Sequence, residues 1–455
     1  MNKHIFLMGA AAAMLLASCS NDDLVGGNGN GQTVGNSDVP IMLSAGQTAN
    51  KTRAALGNVD ADGNYDGTFD ADGLGFYCLA TGKIAGTESI TWREGYDNPN
   101  FLWMQNVKTK AETTDDAELG KKVTNLKFYD AAGENPGTYY FYPMGSQYSY
   151  TFYGYYPYSE NVQHNGNKYT LEVNNLDGHT DLIWGKSFVA ADDLDAADAY
   201  SAKYIRDKKK RSEEAGGDWN VDYKKALPQV TFKHKLMKFN IILKKGTGES
   251  TNLNKLGIKS AKLLNVATGG TLTIADLDNR LAALNDPAKD DNGNVKEGTF
   301  TVDWSTAANT NTEATGLVLK TADDQDLNDA VAGYPGPFLG DDDQVTIGGG
   351  FLVPVPVSNG DGTYVDNGYE GTENAELANK GIFRLRIDYF MTDQPDVLYK
   401  AAQYEIRPVF KGVTEGEEAW QEGYEYDIVI SVSDPQAIQT VGYLTPWNKR
   451  TIELE

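Results

Sequence analysis

Short runs of alternating apolar and polar residues, each closed by a Gly, Asn or Asp turn, recur along this chain. Period-two alternation puts one face of an extended segment in a core and the other in water, so it constrains the fold to β-structure. Phe383-Arg-Leu-Arg-Ile-Asp-Tyr389 and Tyr424-Glu-Tyr-Asp-Ile-Val-Ile-Ser-Val432 keep their apolar residues on one parity. Both read as half-buried strands of an antiparallel sheet. Tyr148-Ser-Tyr-Thr-Phe-Tyr-Gly-Tyr-Tyr-Pro157 is bulky on both parities, which places at least one of its faces in a core, and Pro157 ends its pairing. From Val230 to Leu243 the apolar parity changes near Leu236 and Met237, which predicts a β-bulge. Composition agrees: 48 Gly and 26 Tyr among 455 residues suit a turn-rich all-β sandwich.

The exception is a helix predicted between about Asp192 and Glu214. Asp192, Asp193, Asp195 and Asp198 load its start, and Arg206, Lys208, Lys209, Lys210 and Arg211 load its end. Those signs complement the helix dipole, and Gly216-Gly217 supplies the stop. Polar Gly/Asp/Asn-rich stretches at 284–298, 321–350 and 358–381 read as loops. Cys78 lies in the apolar run Leu74-Gly-Phe-Tyr-Cys-Leu79 and reads as a core thiol.

The N-terminus is a targeting segment. A cationic start, Met1-Asn-Lys-His4, precedes the uncharged run of 12 residues from Ile5 to Leu16. A membrane span needs roughly 20 apolar residues, so 1–18 reads as a signal peptide. Leu16-Ala-Ser-Cys19 resembles a bacterial lipobox, which makes Cys19 the acylated first residue of the mature protein. Ser20-Asn-Asp-Asp23 resembles a surface-export signal, and the Gly/Asn-rich stretch within 19–38 has the composition of a flexible linker.

Charge and motif content exclude several functions. With 40 Lys plus Arg against 64 Asp plus Glu, the net charge of −24 is wrong for reading phosphate backbones, so no nucleic-acid partner is expected. Gly185-Lys-Ser187 lacks the glycine that a phosphate-binding loop needs at position 180, which is Thr. Asp60-Ala-Asp-Gly-Asn-Tyr-Asp66 alternates oxygen ligands, but Tyr65 and Ala71 stand where a calcium loop has Gly and Glu. Only four histidines are present, and His164, His179 and His234 read as structural or surface residues rather than a catalytic or metal-binding set. Paired carboxylates carry no information among so many acids. No catalytic residue, cofactor or metal is expected.

Several short motifs follow in order. They are Val39-Pro-Ile-Met-Leu-Ser-Ala45, Lys51-Thr-Arg-Ala54, Gly73-Leu-Gly-Phe-Tyr-Cys78, Tyr150-Thr-Phe-Tyr-Gly-Tyr-Tyr-Pro-Tyr158, Asp181-Leu-Ile-Trp184, Phe232-Lys-His-Lys-Leu-Met-Lys-Phe239 and Gly442-Tyr-Leu-Thr-Pro-Trp447. Together with Cys19 they resemble the fimbrillin family, the subunits and accessory proteins of type V pili, and in particular its Mfa-like branch. That resemblance implies two transthyretin-like β-sandwich domains, 39–225 and 226–455, with long loops and at most one or two short helices. It implies a non-enzymatic outer-membrane lipoprotein of the cell surface and fimbrium. It further implies cleavage by a trypsin-like protease between Arg53 and Ala54, removal of a first strand within 39–53 that carries Val39, Ile41 and Leu43, and filling of the vacated groove by a neighbouring subunit. The partners implied are other pilus subunits, the outer membrane through the lipid on Cys19, and a host or bacterial surface ligand. The competing reading is a glycan-binding surface lipoprotein that stays tethered, supported by the abundant Tyr and Trp rings.

Overall fold

The structure, a computed structural model, describes residues 36–47, 70–83, 102–117, 119–130, 132–143, 148–165, 168–188, 200–216, 227–246, 253–276, 297–321, 323, 325–328, 340, 343–354, 383–398, 400–406, 420 and 422–432. In chain order the first strands are β1 (Asn36–Pro40), β2 (Leu43–Gln47), β3 (Ala71–Lys83), β4 (Leu102–Asp116), β5 (Lys121–Tyr129), β6 (Pro136–Thr138), β7 (Phe141–Pro143), β8 (Tyr148–Tyr156), β9 (Val162–Asn165), β10 (Lys168–Val173) and β11 (Ile183–Phe188). The helix α1 (Ala202–Glu214) follows. Then come β12 (Gln229–His234), β13 (Met237–Lys245), β14 (Leu256–Leu264), β15 (Gly270–Asp276), β16 (Phe300–Val302), β17 (Leu317–Val318), β18 (Gln344–Leu352), β19 (Phe383–Met391), β20 (Lys400–Ile406) and β21 (Glu425–Val432). The fold is all-β, as the alternation predicts.

The described residues fall into two compact units. One is drawn from Met1–Ala45, Phe76–Tyr153 and Lys186–Val230, the other from Gly46–Gly75, Gly154–Gly185 and Thr231–Glu455. The units are built from interleaved stretches of the chain. Strand pairing joins residues far apart in the chain, so sequence order is a poor guide to which stretches share a core.

The largest sheet has the order β2-β12-β11-β8-β3-β4-β5-β6, and β2 also pairs with β5. The strand order therefore closes on itself through β2. In the first unit Phe76, Tyr77, Cys78, Leu79 and Ala80 of β3 are all buried, so that strand has a core on both faces. Tyr150, Phe152 and Tyr153 of β8 are fully buried on both parities.

The second unit holds the sheets β18-β13-β21 and β17-β14-β19-β20. Phe239, Ile241 and Leu243 of β13, Ile428 and Ile430 of β21, Ile258 and Leu263 of β14, and Leu385 and Ile387 of β19 belong to one hydrophobic core. Two sheets sharing one core of interdigitated inner faces is the arrangement of a β-sandwich. The Tyr389 and Tyr404 hydroxyls meet inside it at 2.6 Å, so each buried polar tip has a partner. Burial pushes both hydroxyls well above their ordinary range and keeps them neutral.

Four details differ from the sequence reading. The parity change at Leu236 and Met237 is no bulge: β12 ends at His234, and β13 opens at Met237 in a different sheet. The apolar side must switch there because the chain leaves one core and enters another. The strand β21 pairs with β13 in parallel, from Lys238 opposite Glu425 to Lys245 opposite Val432. Its burial on both parities, at Val429 as well as Ile428 and Ile430, suits that covered position.

The stretch 321–350, read as a loop, contains most of β18. Its glycines are there for backbone approach. A Cβ at Gly348 would lie 2.4 Å from the Lys320 carbonyl oxygen, one at Gly349 would lie 2.2 Å from that of Phe239, and one at Gly350 would lie 2.7 Å from that of Gly178. Finally, α1 begins at Ala202 and has no acidic residue in its first turn. The aspartates from Asp192 to Asp198 lie outside the described residues, while the basic run does occupy the helix, and Gly216 stands just beyond its end at φ +69°.

Candidate strand-exchange site

Val39, Ile41, Leu43 and Ala45 are 7%, 2%, 3% and 4% exposed, and all four belong to the first unit. Met42 between them is 40% exposed. Alternate side chains from Val39 to Ala45 thus enter the unit, and Met42 faces outward. Burying the three larger side chains contributes about 1.5–3 kcal/mol each.

Backbone bonds hold the segment from several sides. β1 runs antiparallel to β7, with Asn36 opposite Pro143 and Pro40 opposite Phe141. Pro40 has no N–H to give, and the next donor takes over: the Ile41 amide donates to the Tyr140 carbonyl at 2.7 Å. β2 runs antiparallel to β5, with Leu43 opposite Leu126 and Ala45 opposite Thr124. On its other side the Ser44 amide donates to the Pro228 carbonyl at 3.0 Å, just before β12. The Ser37 hydroxyl accepts from the Val39 amide at 3.2 Å, and α1 packs against β1.

The surrounding wall is aromatic and rigid. The Phe128 ring meets Tyr140 edge-on at 5.4 Å and Phe76 at 6.4 Å, and Tyr142 meets Phe152 at 6.1 Å. The Trp103 indole N–H donates to the Phe141 carbonyl at 2.6 Å and fixes β7. Burial, helped by the negative charge of Asp130, pushes the Tyr140 hydroxyl up and keeps it neutral. The Asp130 carboxyl is itself held below its usual range by hydrogen bonds from the Asn135 side chain and the Glu134 amide. The seat therefore selects for shape and apolar character rather than charge.

Such a seat has one chemical property. It is filled by an extended backbone with apolar side chains at alternate positions. Emptying it would bare the β5 edge and an apolar groove together, both unfavourable in water.

Of the residues singled out in the sequence, Val39, Ile41 and Leu43 come together in this seat. Cys19, Arg53 and Ala54 lie outside the described residues. So do the acidic loops at Asp60–Asp66 and 290–294. Sequence reasoning missed Tyr140, Leu126, Pro228 and α1 as parts of the seat. The aromatic run from Tyr139 to Tyr142 was the available signal for the first.

The remaining chemistry-bearing residues are scattered. His164 stacks on Tyr169 with ring centres 4.6 Å apart, in the hairpin of β9 and β10. His234 Nδ1 lies 2.5 Å from Asp181 Oδ2 in the second unit, and both residues are buried. Among the described residues, no three His, Cys, Asp or Glu side chains are placed to hold a metal ion. No helix among them is long and apolar enough to cross a membrane. Eight tyrosines, from Tyr142 to Tyr426, are among the largest fully buried side chains, whereas Tyr139 is 69% exposed.

Residues 89–328 match the family described as Fimbrillin-like. The chain belongs to the fimbrillin-like family. The matched stretch contains β4 to β16, and with them the wall of the seat from β5, β7 and α1. No match is found among curated proteins. Among solved structures, a protein assigned to cell adhesion from Bacteroides uniformis aligns at 16% identity and a TM-score of 0.40, covering 90% of this chain and 99% of that one. A fimbrial protein from Bacteroides vulgatus aligns at 15% identity and 0.39, covering 90% and 99%. The tip fimbrial protein Mfa3 from Porphyromonas gingivalis aligns at 9% identity and 0.34, again covering 90% and 99%. Family membership makes this chain a fimbrial, adhesin-type protein of the cell surface.

Proposed function

We propose that the chain is a non-enzymatic subunit of a type V pilus that assembles by strand exchange. It is exported as a lipoprotein acylated at Cys19 and cut between Arg53 and Ala54. The cut frees the segment carrying Val39, Ile41 and Leu43, and a strand from a neighbouring subunit takes its seat. The observation that carries this reading is the seat itself. A short segment near the chain start is buried at every second residue, and it is the strand through which the largest sheet closes. Family membership supports the same reading. The cut position lies shortly beyond β2, so one cleavage separates both β1 and β2 from the rest of the chain.

The test is the N-terminal residue of the protein purified from its native outer membrane, read by mass spectrometry. A chain beginning at Ala54 in high-molecular-weight, detergent-resistant material is expected. Recovery of only acylated Cys19 chains, all monomeric, from pilus-bearing cells overturns the reading and favours a tethered surface lipoprotein.

A further inference from the structure

We infer that helix α1 is a clamp on the exchangeable strand, so that cutting the chain does not by itself release the strand. The inference rests on the strand-exchange reading and adds a second, conformational step to it.

Three observations combine. First, α1 packs against β1, the half of the segment that is bonded to β7. Second, α1 has two unlike sides. Ala202 and Ile205 are buried at 8% and 3%. Outward, Lys203 pairs with Asp207 at 2.6 Å and Lys210 with Glu214 at 3.8 Å, all four well exposed. Third, α1 is fastened at its start. Tyr200 and Tyr150 exchange backbone bonds of 2.5 and 2.7 Å, and the Ser201 hydroxyl accepts from the Tyr204 amide at 3.1 Å. The Tyr200 and Tyr204 rings meet edge-on at 5.3 Å.

A helix of 13 residues is marginal alone in water. Its helical state therefore draws on what it packs against, and β1 is part of that. The dependence runs both ways, as any coupling between two ordered elements must. While β1 is seated, α1 is held down, and while α1 is down, β1 is covered. Opening proceeds by lifting α1 about its Tyr200–Ser201 anchor. The strand segment thus serves as its own placeholder after the cut at Arg53. It leaves when α1 opens or when an incoming strand displaces it.

Amide hydrogen exchange on the full, uncut chain tests the clamp directly. In Ile205→Ala, the Ile41 amide is expected to exchange at least about ten-fold faster than in the parent, while amides of β14 and β19 keep their rates. Ile205→Leu is expected to restore the parent rate. Equal Ile41 rates in the parent and in Ile205→Ala overturn the clamp. Where Ile205→Ala does not yield folded protein, Ala202→Gly loosens the first turn without a large cavity and is read in the same way. A second arm uses chains nicked by an Arg-specific protease. The peptide ending at Arg53 should co-elute with the parent body in gel filtration and separate from the Ile205→Ala body. Immediate release from the parent overturns the placeholder role. A chain built to begin at Ala54 that stays monomeric defeats the strand-exchange reading instead, and leaves the uncut exchange result standing.

Discussion

β2 and β13 are both buried at alternate residues, yet they are held in different ways. β13 pairs with β18 from Met237 to Lys244, with a register shift between Ile241 and Ile242, and with β21 from Lys238 to Lys245. β2 pairs with β5 from Leu43 to Ala45, and its neighbour β1 pairs with β7 at Asn36 and Pro40 with a shift in register between them. The side chains of the two strands do similar work: Leu43 is 3% exposed and Ile241 0%. What differs is the backbone. β2 also has a neighbour on each side, β5 and β12, so the contrast lies in ladder length: β13 is paired over eight residues on each side, whereas β2 spans five residues in all. Burial alone does not distinguish a strand held by short ladders from one held by long ladders.

The largest way to break the long-ladder side is Gly349→Val. Its Cβ would meet the Phe239 carbonyl at 2.2 Å, and backbone has no rotamer in which to yield. The second unit should fail to form, seen as insoluble protein or loss of near-ultraviolet dichroism, whereas a soluble chain with parent stability would show that β18 can shift. Next is the matched pair Ile241→Ala and Ile41→Ala. The first should lower the urea unfolding free energy by about 2–5 kcal/mol. The second should show itself chiefly as faster exchange of the β1 and β2 amides, with a smaller change at the global midpoint. Equal global costs would erase the distinction drawn above.

The smallest effect is a pH dependence. Burial raises the Glu425 carboxyl above its ordinary value, against the opposing pull of Lys238 and Asn240. A carboxyl with a raised pKa binds its proton more tightly when folded, so it favours the fold at low pH and loses that contribution as pH rises through its raised value. Glu425→Gln should flatten the stability profile just above the ordinary carboxylate range and leave β1 exchange untouched. An unchanged profile would show that the Lys238 and Asn240 contacts fully offset burial.

How far these regions could be read from sequence follows from where their information lies. Leu385, Ile387 and Tyr389 announce themselves by parity, whereas Val39, Ile41 and Leu43 are singled out by the family resemblance. The partners of the seat carry neither signal. The Tyr140 and Pro228 carbonyls are backbone groups, and a backbone acceptor leaves no mark on residue identity. They also lie far along the chain from Ile41 and Ser44. β18 was hidden for the opposite reason. Gly348, Gly349 and Gly350 have the composition of a loop, but close approach of neighbouring chains demands them. The parallel partner of β13 was hidden too, because β21 shows the same alternation whichever way its neighbour runs.

The double-sided burial of β3 carries one more consequence. Cys78 is fully enclosed there, and burial pushes its thiol well up, away from the thiolate form. The thiolate is the species that attacks disulfides and oxidants, so this sulfur is inert in an oxidising exterior. Cys78 is therefore closed both to glutathione and to crosslinking with a neighbouring chain.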